Sequence, residues 1–390
     1  MRNDAWNKIF QSEMSKSRYF IICLYILVCC ELKPNHQASE SSIGNLKLVK
    51  AIVLFRHGMR APLRKFKFDP YAEFDRNLWP EGFGELVKEG KDQMYQLGKR
   101  LCERYEHLLV PDRNAVSKDV QMVTTAVDRC YHSGAFVLSG FYPQDQEQIR
   151  NEDFLRQPIS ISIRSHSADK VHIIGEKEKC PRYHEELMEV YEITKNDTNF
   201  NYLINFLSNF THSDDIKSAY DVFHVGDYIR TKKLMNLKLP DWISDDFLHR
   251  LDQFYVDSSN SLTYNAKMRH LLAGPLINDI SNRIQDAIYN RPNNSKFFFY
   301  SGHDASLASL FAGLNMETDF VPTYGASFIF EVYRSSPNNY LIKILFSHDY
   351  TLNHINVKIL PDCEEYCPMG KFVQLIEKYI TQDWEVECNL

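Results

Sequence analysis

The chain has 390 residues, 44% hydrophobic and 25% charged, with a net charge of −6. That length suits about two domains, and the apolar content is high enough to build sizeable cores, so the chain is not intrinsically disordered. The negative balance argues against nucleic acid as its main partner, and no internal repeat or low-complexity tract is present.

Residues 19–30 (Y-F-I-I-C-L-Y-I-L-V-C-C) form a mostly apolar run preceded by Lys16 and Arg18. A bilayer span needs about 20 apolar residues, so this run fits a signal-peptide core better than a membrane helix. Residues 1–38 are read as signal peptide and neck, with Met14 as an alternative start and the cleavage site undefined. An uncleaved signal anchor is the other reading, and no stable membrane anchor is expected elsewhere. Cys23, Cys29 and Cys30 lie in the leader; Cys102, Cys130, Cys180, Cys363, Cys367 and Cys388 lie beyond it. Asn-x-Ser/Thr sequons stand at Asn196, Asn209 and Asn293. Beside a leader they read as surface glycosylation sites.

Residues 48–55 are apolar and β-branched apart from Lys50, the pattern of a strand buried on both faces. Arg56, His57, Gly58 and Arg60 follow at once. Two guanidinium forks at a strand end are suited to phosphate oxygens, and the glycine is expected to let backbone approach a ligand. In open α/β sheets, ligands sit at the carboxyl ends of strands, where this turn falls. Residues 78–86 (L-W-P-E-G-F-G-E-L) then open a helix whose Met94, Leu97, Leu101, Tyr105 and Leu108 keep helical spacing.

A strand is expected at 119–124, followed by Thr125-Ala126-Val127-Asp128-Arg129 and a helix to about Phe141. Further strand is expected at 158–164, where Ile and Ser alternate, and at 171–175. From about Cys180 to Arg291 Pro and Gly become sparse and the periodicity turns helical, as at 242–256 and 268–288, with Gly274-Pro275 expected to kink or break the latter. This insert is the candidate second domain. The apolar run 297–300 reads as another strand and ends in Ser301-Gly302-His303-Asp304. A helix is expected at 305–314, strands at 326–333, 341–346 and 355–360 forming an antiparallel edge, and a closing helix at 369–380. No Walker-type loop and no zinc-spaced Cys/His cluster occurs, so neither metal nor cofactor is expected.

Arg56-His57-Gly58-Met59-Arg60-Ala61-Pro62, together with His303-Asp304 at a second strand end, resembles the signature pair of the histidine acid phosphatases. L-W-P-x-G-F-G-x-L with Lys88-Glu89-Gly90 is similar to the animal prostatic and lysosomal type within that family. The resemblance covers the chain after about residue 46. It implies an α/β fold: a three-layer αβα sandwich with a mixed, mainly parallel sheet. The catalytic domain would comprise 45–179 and 293–390, and a smaller helical insert at 180–292 would cap one side of the cleft and shape substrate choice.

The resemblance implies that His57 is the nucleophile and Asp304 the proton donor, with Arg56, Arg60, Arg129 and His303 around the phosphate. The family has Ser-Thr-Asp-x-Asp-Arg-Thr near Arg129; here Ala126 replaces an acidic residue and Cys130 replaces the Thr. Neither departure touches phosphate in the family scheme. The chemistry is self-consistent. Arginines near His57 disfavour its imidazolium and keep it nucleophilic in mild acid, while Asp304 must be protonated to act as an acid. Phosphate monoesters, small-molecule or peptide, are the expected partners, and the sequence leaves a homodimer open. Tyr220 falls near an aromatic platform used by relatives, with a core tyrosine as the other reading. A phytase-like or lysophosphatidate-specific enzyme is the alternative within the family. A catalytically silent secreted binding protein, or a cytosolic mutase or bisphosphatase, is the alternative outside it. The resemblance also implies disulfides Cys180–Cys388 and Cys363–Cys367, with Cys102 and Cys130 left as thiols. Ile229 and Ser327 stand near the two positions of a third family bridge.

Overall fold

The computed structural model describes residues 46–66, 68–69, 78–108, 119–142, 161–164, 180–211, 216–289, 295–316, 318–381 and 383–390. The leader at 1–38, the strand expected at 171–175 and the sequon at Asn293 lie outside these residues.

In chain order, strand β1 (Lys47–Arg56) is followed by helix α1 (Lys88–Tyr105), β2 (Val120–Thr125), α2 (Asp128–Phe141) and β3 (Ile161–Arg164). The helices α3 (Pro181–Thr194), α4 (Thr198–Thr211), α5 (Ala219–Leu234), α6 (Asp245–Ser261) and α7 (Ala266–Tyr289) come next. The chain then returns as β4 (Phe297–Gly302), α8 (Asp304–Gly313), β5 (Ser327–Ser336), β6 (Asn339–Ser347), β7 (Ile355–Lys358), β8 (Cys367–Pro368), α9 (Met369–Glu377) and α10 (Trp384–Glu387).

Among the described residues the strands form one sheet in the order β3-β2-β4-β1-β5-β6-β7, with β8 beside β6. β3, β2, β4 and β1 run parallel, and β5 to β8 pair antiparallel, so the sheet is mixed and its antiparallel part is as wide as its parallel part. The short β8 carries no strand pattern of its own, and only its pairing to β6 makes it one.

Alternation along β1 and β4 sorts side chains onto two faces. Ile52, Leu54, Phe298 and Tyr300 pack with Leu276, Ile280, Leu310 and Phe372 from α7, α8 and α9. Ala51, Val53, Phe55, Phe297 and Phe299 pack with Met94, Leu97 and Leu101 of α1 and Val137 and Phe141 of α2. Helices therefore cover both faces, giving three layers. Lys50, within the apolar run of β1, is buried too; burial pulls its pKa down to about 8 against the opposing pull of Asp286.

Leu203, Leu207, Val222, Val225, Ile229, Phe247 and Leu251 of the helical segment form a further core cluster, which Phe66 from the segment after β1 joins. Helix α7 runs unbroken through Pro275, so the expected break does not occur. An interior proline costs about 3 kcal/mol. Leu271, Leu272, Leu276 and Ile277 flank it, all buried. At about 1.5–3 kcal/mol each, their burial outweighs that cost. Cys180 is bonded to Cys388 and Cys363 to Cys367, while Cys102 and Cys130 remain thiols. Among the described residues no helix is long and apolar enough to cross a membrane.

Candidate active site

β2, β4 and β1 lie side by side and end together: Arg56 is in register with Gly302, and Ser301 with Thr124. The segments that leave the three strand ends therefore meet in space. His57 comes directly after β1, and its backbone N–H donates to the Gly302 carbonyl at 3.0 Å. His303 comes directly after β4, and Asp304 opens α8. Arg129 sits in the first turn of α2, just after β2. The N-termini of α2 and α8 thus open at the place where the arginines gather, which favours an anion.

His57 Nδ1 lies 2.8 Å from the Gly58 carbonyl. Only a protonated Nδ1 can donate there, which assigns the tautomer and leaves the Nε2 lone pair available. Nε2 accepts from Arg129 Nε at 3.2 Å. Burial, then Arg129, Arg56, His303 and Arg60, hold the His57 pKa well below 6.5. The imidazole is neutral in mildly acidic solution.

Arg56 donates through Nη1 to the Pro322 carbonyl at 2.7 Å and pairs through Nη2 with Asp304 Oδ2 at 2.8 Å. Its guanidinium lies 4.2 Å from the centroid of the Tyr324 ring. Asp304 also accepts from the Ala305 N–H at 2.8 Å. Burial would raise the Asp304 pKa, but Arg56, His303 and Arg60 outweigh it and hold the carboxyl below its usual range. His303 stands edge-on to His57, with ring centroids 5.6 Å apart, and its Nε2 is 3.4 Å from Thr125 Oγ1. Cys130 also packs on His303, with Sγ 3.6 Å from Nε2, and donates to the Gly302 carbonyl at 3.5 Å; burial pushes its thiol up to about 11.

The six residues expected from the sequence are thus brought together, but their surroundings were not foreseen. Arg60 is gripped end-on by Asp227 of α5, Nη1 to Oδ2 at 3.0 Å and Nη2 to Oδ1 at 2.7 Å. Tyr255 of α6 lies near enough that, after burial, the charges of Asp304 and Asp227 keep its phenol well above the usual range. Tyr324 supports Arg56 from the turn before β5. The only sequence signal for Asp227 is a carboxylate among the buried positions Val222, Val225 and Tyr228 of a helix, and for Tyr324 a Pro-Thr-Tyr-Gly turn before a strand.

Gly58 also meets the start of α1. A Cβ there would sit 2.3 Å from the Gly90 carbonyl oxygen, and one on Gly90 would sit 1.9 Å from that of Met59. The two glycines let the loop after β1 lie directly on the start of α1. Tyr220 is 67% exposed with its ring 4.3 Å from that of His224, so it is no core residue. Ala126 is exposed, in the chain between Thr125 and Arg129. Among the described residues no group of three or more His, Cys, Asp or Glu side chains is placed to hold a metal ion.

The description of the histidine phosphatase superfamily, branch 2, matches residues 47–347, from the first residue of β1 to the last of β6. This chain belongs to the histidine phosphatase superfamily, branch 2. Within that superfamily it is 28% identical to the lysosomal acid phosphatase of Xenopus laevis over 376 residues, covering 95% of this chain and 83% of that protein. It is 30% identical to the prostatic acid phosphatase of Rattus norvegicus over 355 residues, covering 88% of this chain and 90% of that one. Its fold matches the apo form of the Hafnia alvei phytase with a TM-score of 0.65, covering 90% of this chain and 100% of that one, at 15% identity. At that identity the likeness concerns the histidine phosphatase fold alone.

Proposed function

We propose that this chain is an acid phosphatase of the secretory or lysosomal route that hydrolyses phosphate monoesters through a phosphohistidine on His57. The observation that carries the reading is a neutral, tautomer-fixed imidazole whose Nε2 faces a guanidinium, with Arg56 and Arg60 close enough to depress its pKa. Family membership and relatives named acid phosphatases support the reaction class. Those relatives, the apolar leader and the exposed sequons Asn196 and Asn209 support the route.

In the proposed cycle the phosphoryl oxygens take the place of Nε2 in front of Arg129, and Arg56, Arg60 and His303 share their charge. Nε2 attacks phosphorus in line with the leaving oxygen, and Asp304 delivers the proton to that oxygen. Water, deprotonated by the same carboxylate, then frees phosphate and restores His57. The fixed donors stabilise charge developing on the phosphoryl group without reorganising, which is where most of the rate is expected to arise. The helical segment 180–292 forms one wall of the cleft through Asp227 and Tyr255.

The test is His57→Ala, with rapid quenching of the wild type mixed with labelled aryl phosphate. Phosphohistidine is acid-labile, so an alkaline quench should retain label on the protein and an acid quench should lose it. His57→Ala should hold no label and turn nothing over. Near-native turnover by His57→Ala would end the proposal. Phosphate release from aryl phosphate, phosphotyrosine, phytate, lysophosphatidate and AMP would then rank the substrate classes.

A further inference from the structure

Arg60 is held unlike the other cations of the site. Its Nη1 donates to the Ala61 carbonyl at 3.0 Å and to Asp227 Oδ2 at 3.0 Å, and its Nη2 donates to Asp227 Oδ1 at 2.7 Å. That uses three of the five N–H bonds of a guanidinium. The remaining two, on Nε and Nη2, are parallel and lie along one edge, the fork that matches two oxygens of a phosphate. Nε is buried and has no protein partner. The pair itself is sealed from water, each side chain being 4% exposed.

Asp227 does more than neutralise a charge. Its Oδ2 also accepts from the Leu63 N–H at 3.0 Å. Less than two turns earlier on α5, Asp221 takes Arg64 Nη2 at 3.1 Å. α5 therefore grips the 60–64 segment at Arg60, at the Leu63 backbone and at Arg64. On its other side this segment is held by the Ala61 N–H to the Glu85 carbonyl at 2.8 Å and the Gly84 N–H to the Pro62 carbonyl at 2.9 Å.

We infer that Asp227 is a positioning residue for phosphate binding: it locks the plane of Arg60 so that the Nε–Nη2 edge is presented to the phosphoryl group. The helical segment thereby sets phosphate affinity through a residue that does not touch the substrate. This inference rests on the phosphatase reading above. It deepens that reading by naming what orients one of its cations.

The experiment uses the full chain and five proteins: wild type, Asp227→Asn, Asp227→Glu, Arg60→Ala, and Arg60→Ala with Asp227→Asn. For each, kcat and KM on p-nitrophenyl phosphate, Ki for inorganic phosphate and for orthovanadate, and Tm are measured. Asp227→Asn keeps the shape but puts an amide N–H₂ against a guanidinium. It should raise both Ki values about tenfold, the size expected of a coupled neighbouring pair. In the Arg60→Ala background the same change should move Ki by less than about twofold, since the orientation it controls is gone. A merely structural carboxylate would lower Tm in both backgrounds and leave Ki alone. That outcome, or equal Ki shifts in both backgrounds, overturns the inference. If Asp227→Asn does not fold, Asp227→Glu, which keeps the charge and displaces it by a methylene, is read the same way. An Arg60→Ala protein with unchanged Ki would overturn both the phosphate role of Arg60 and this inference. A response at Arg60 with none at Asp227 overturns the inference alone.

Discussion

The proposed general acid needs a proton, and Asp304 stands 2.8 Å from an arginine that denies it one. Burial favours the neutral carboxyl, but Arg56, His303 and Arg60 hold its pKa below the usual 3.8, so the resting site carries an ionised Asp304 above about pH 4. The proton for the leaving group must then arrive with the substrate, as the phosphate monoanion ROPO₃H⁻, and pass to Asp304 on binding. Acid optima would follow from the substrate rather than from the carboxylate. The expected outcome is a kcat/KM that falls as pH rises through the second ionisation of the substrate, near pH 6 for an alkyl phosphate. The midpoint should move when a substrate of different second pKa is used, whereas one fixed across substrates would place the titrating group on the enzyme. His57 adds no acid limb near pH 6.5, since burial and the surrounding arginines let its imidazolium form only well below that pH. In the same series Asp304→Asn should slow alkyl phosphates far more than p-nitrophenyl phosphate, by about 10²–10⁴ if protonation is its main task. Equal losses on both would mean that Asp304 chiefly orients Arg56.

Between β1 and α1 the fold makes a backbone-to-backbone contact that tolerates no side chain. A Cβ on Gly90 would stand 1.9 Å from the Met59 carbonyl oxygen, which is backbone and cannot rotate away. Gly90→Ala must therefore push α1 and the loop after β1 apart, and because Met94, Leu97 and Leu101 hold α1 on the sheet, the loop is expected to give. Overpacking of this kind costs about 1–3 kcal/mol, and more where only backbone can yield. The prediction is a lower Tm together with a loss of kcat/KM, read by thermal unfolding and by assay. Gly370, in the first turn of α9 with nothing near its missing Cβ, is the control. Gly370→Ala should be neutral or stabilising by up to about 1 kcal/mol and leave kcat/KM alone. An active, fully stable Gly90→Ala would show that the contact is not constraining. Elements of this kind were legible where one local rule dominates. The apolar runs of β1 and β4 and the spacing in α1 mark themselves, and each of the two motifs places its residues one after another along the chain. Gly90 within Lys88-Glu89-Gly90 was legible only as a likeness, because what it meets, Met59, lies far earlier in the chain. Asp227 is the limiting case: its partner Arg60 is 167 positions away, and no local pattern distinguishes a helix carboxylate that will be buried on a guanidinium from one that will face water.

At the scale of the whole molecule, the two disulfides among the described residues do unequal work. Cys180–Cys388 spans a separation of 208 residues and Cys363–Cys367 one of 4. In the chain-entropy account the long closure is worth about 5 kcal/mol and the short one about 2 kcal/mol. The long bridge also ends in a packed place: Cys180 and Cys388 lie in one cluster with Tyr183, Leu187, Leu271 and Trp384, and Trp384 Nε1 donates to the Leu271 carbonyl at 3.0 Å. It therefore fastens the last helix, the first helix of the helical segment and α7 to one another. That cluster shares no residue with the site, so the bridge should govern stability and not chemistry. Cys180→Ser with Cys388→Ser should lower Tm markedly more than Cys363→Ser with Cys367→Ser, and folded protein of either kind should keep KM for p-nitrophenyl phosphate within about twofold, as expected of distant, independent sites. Differential scanning fluorimetry and steady-state kinetics on the two double variants decide it. If removal of the short bridge cost as much Tm as removal of the long one, stabilisation would come from local packing around the cysteines and not from loop closure. If removal of the long bridge raised KM in protein that is still folded, α7 and the helices fastened to it would be setting the geometry of the cleft.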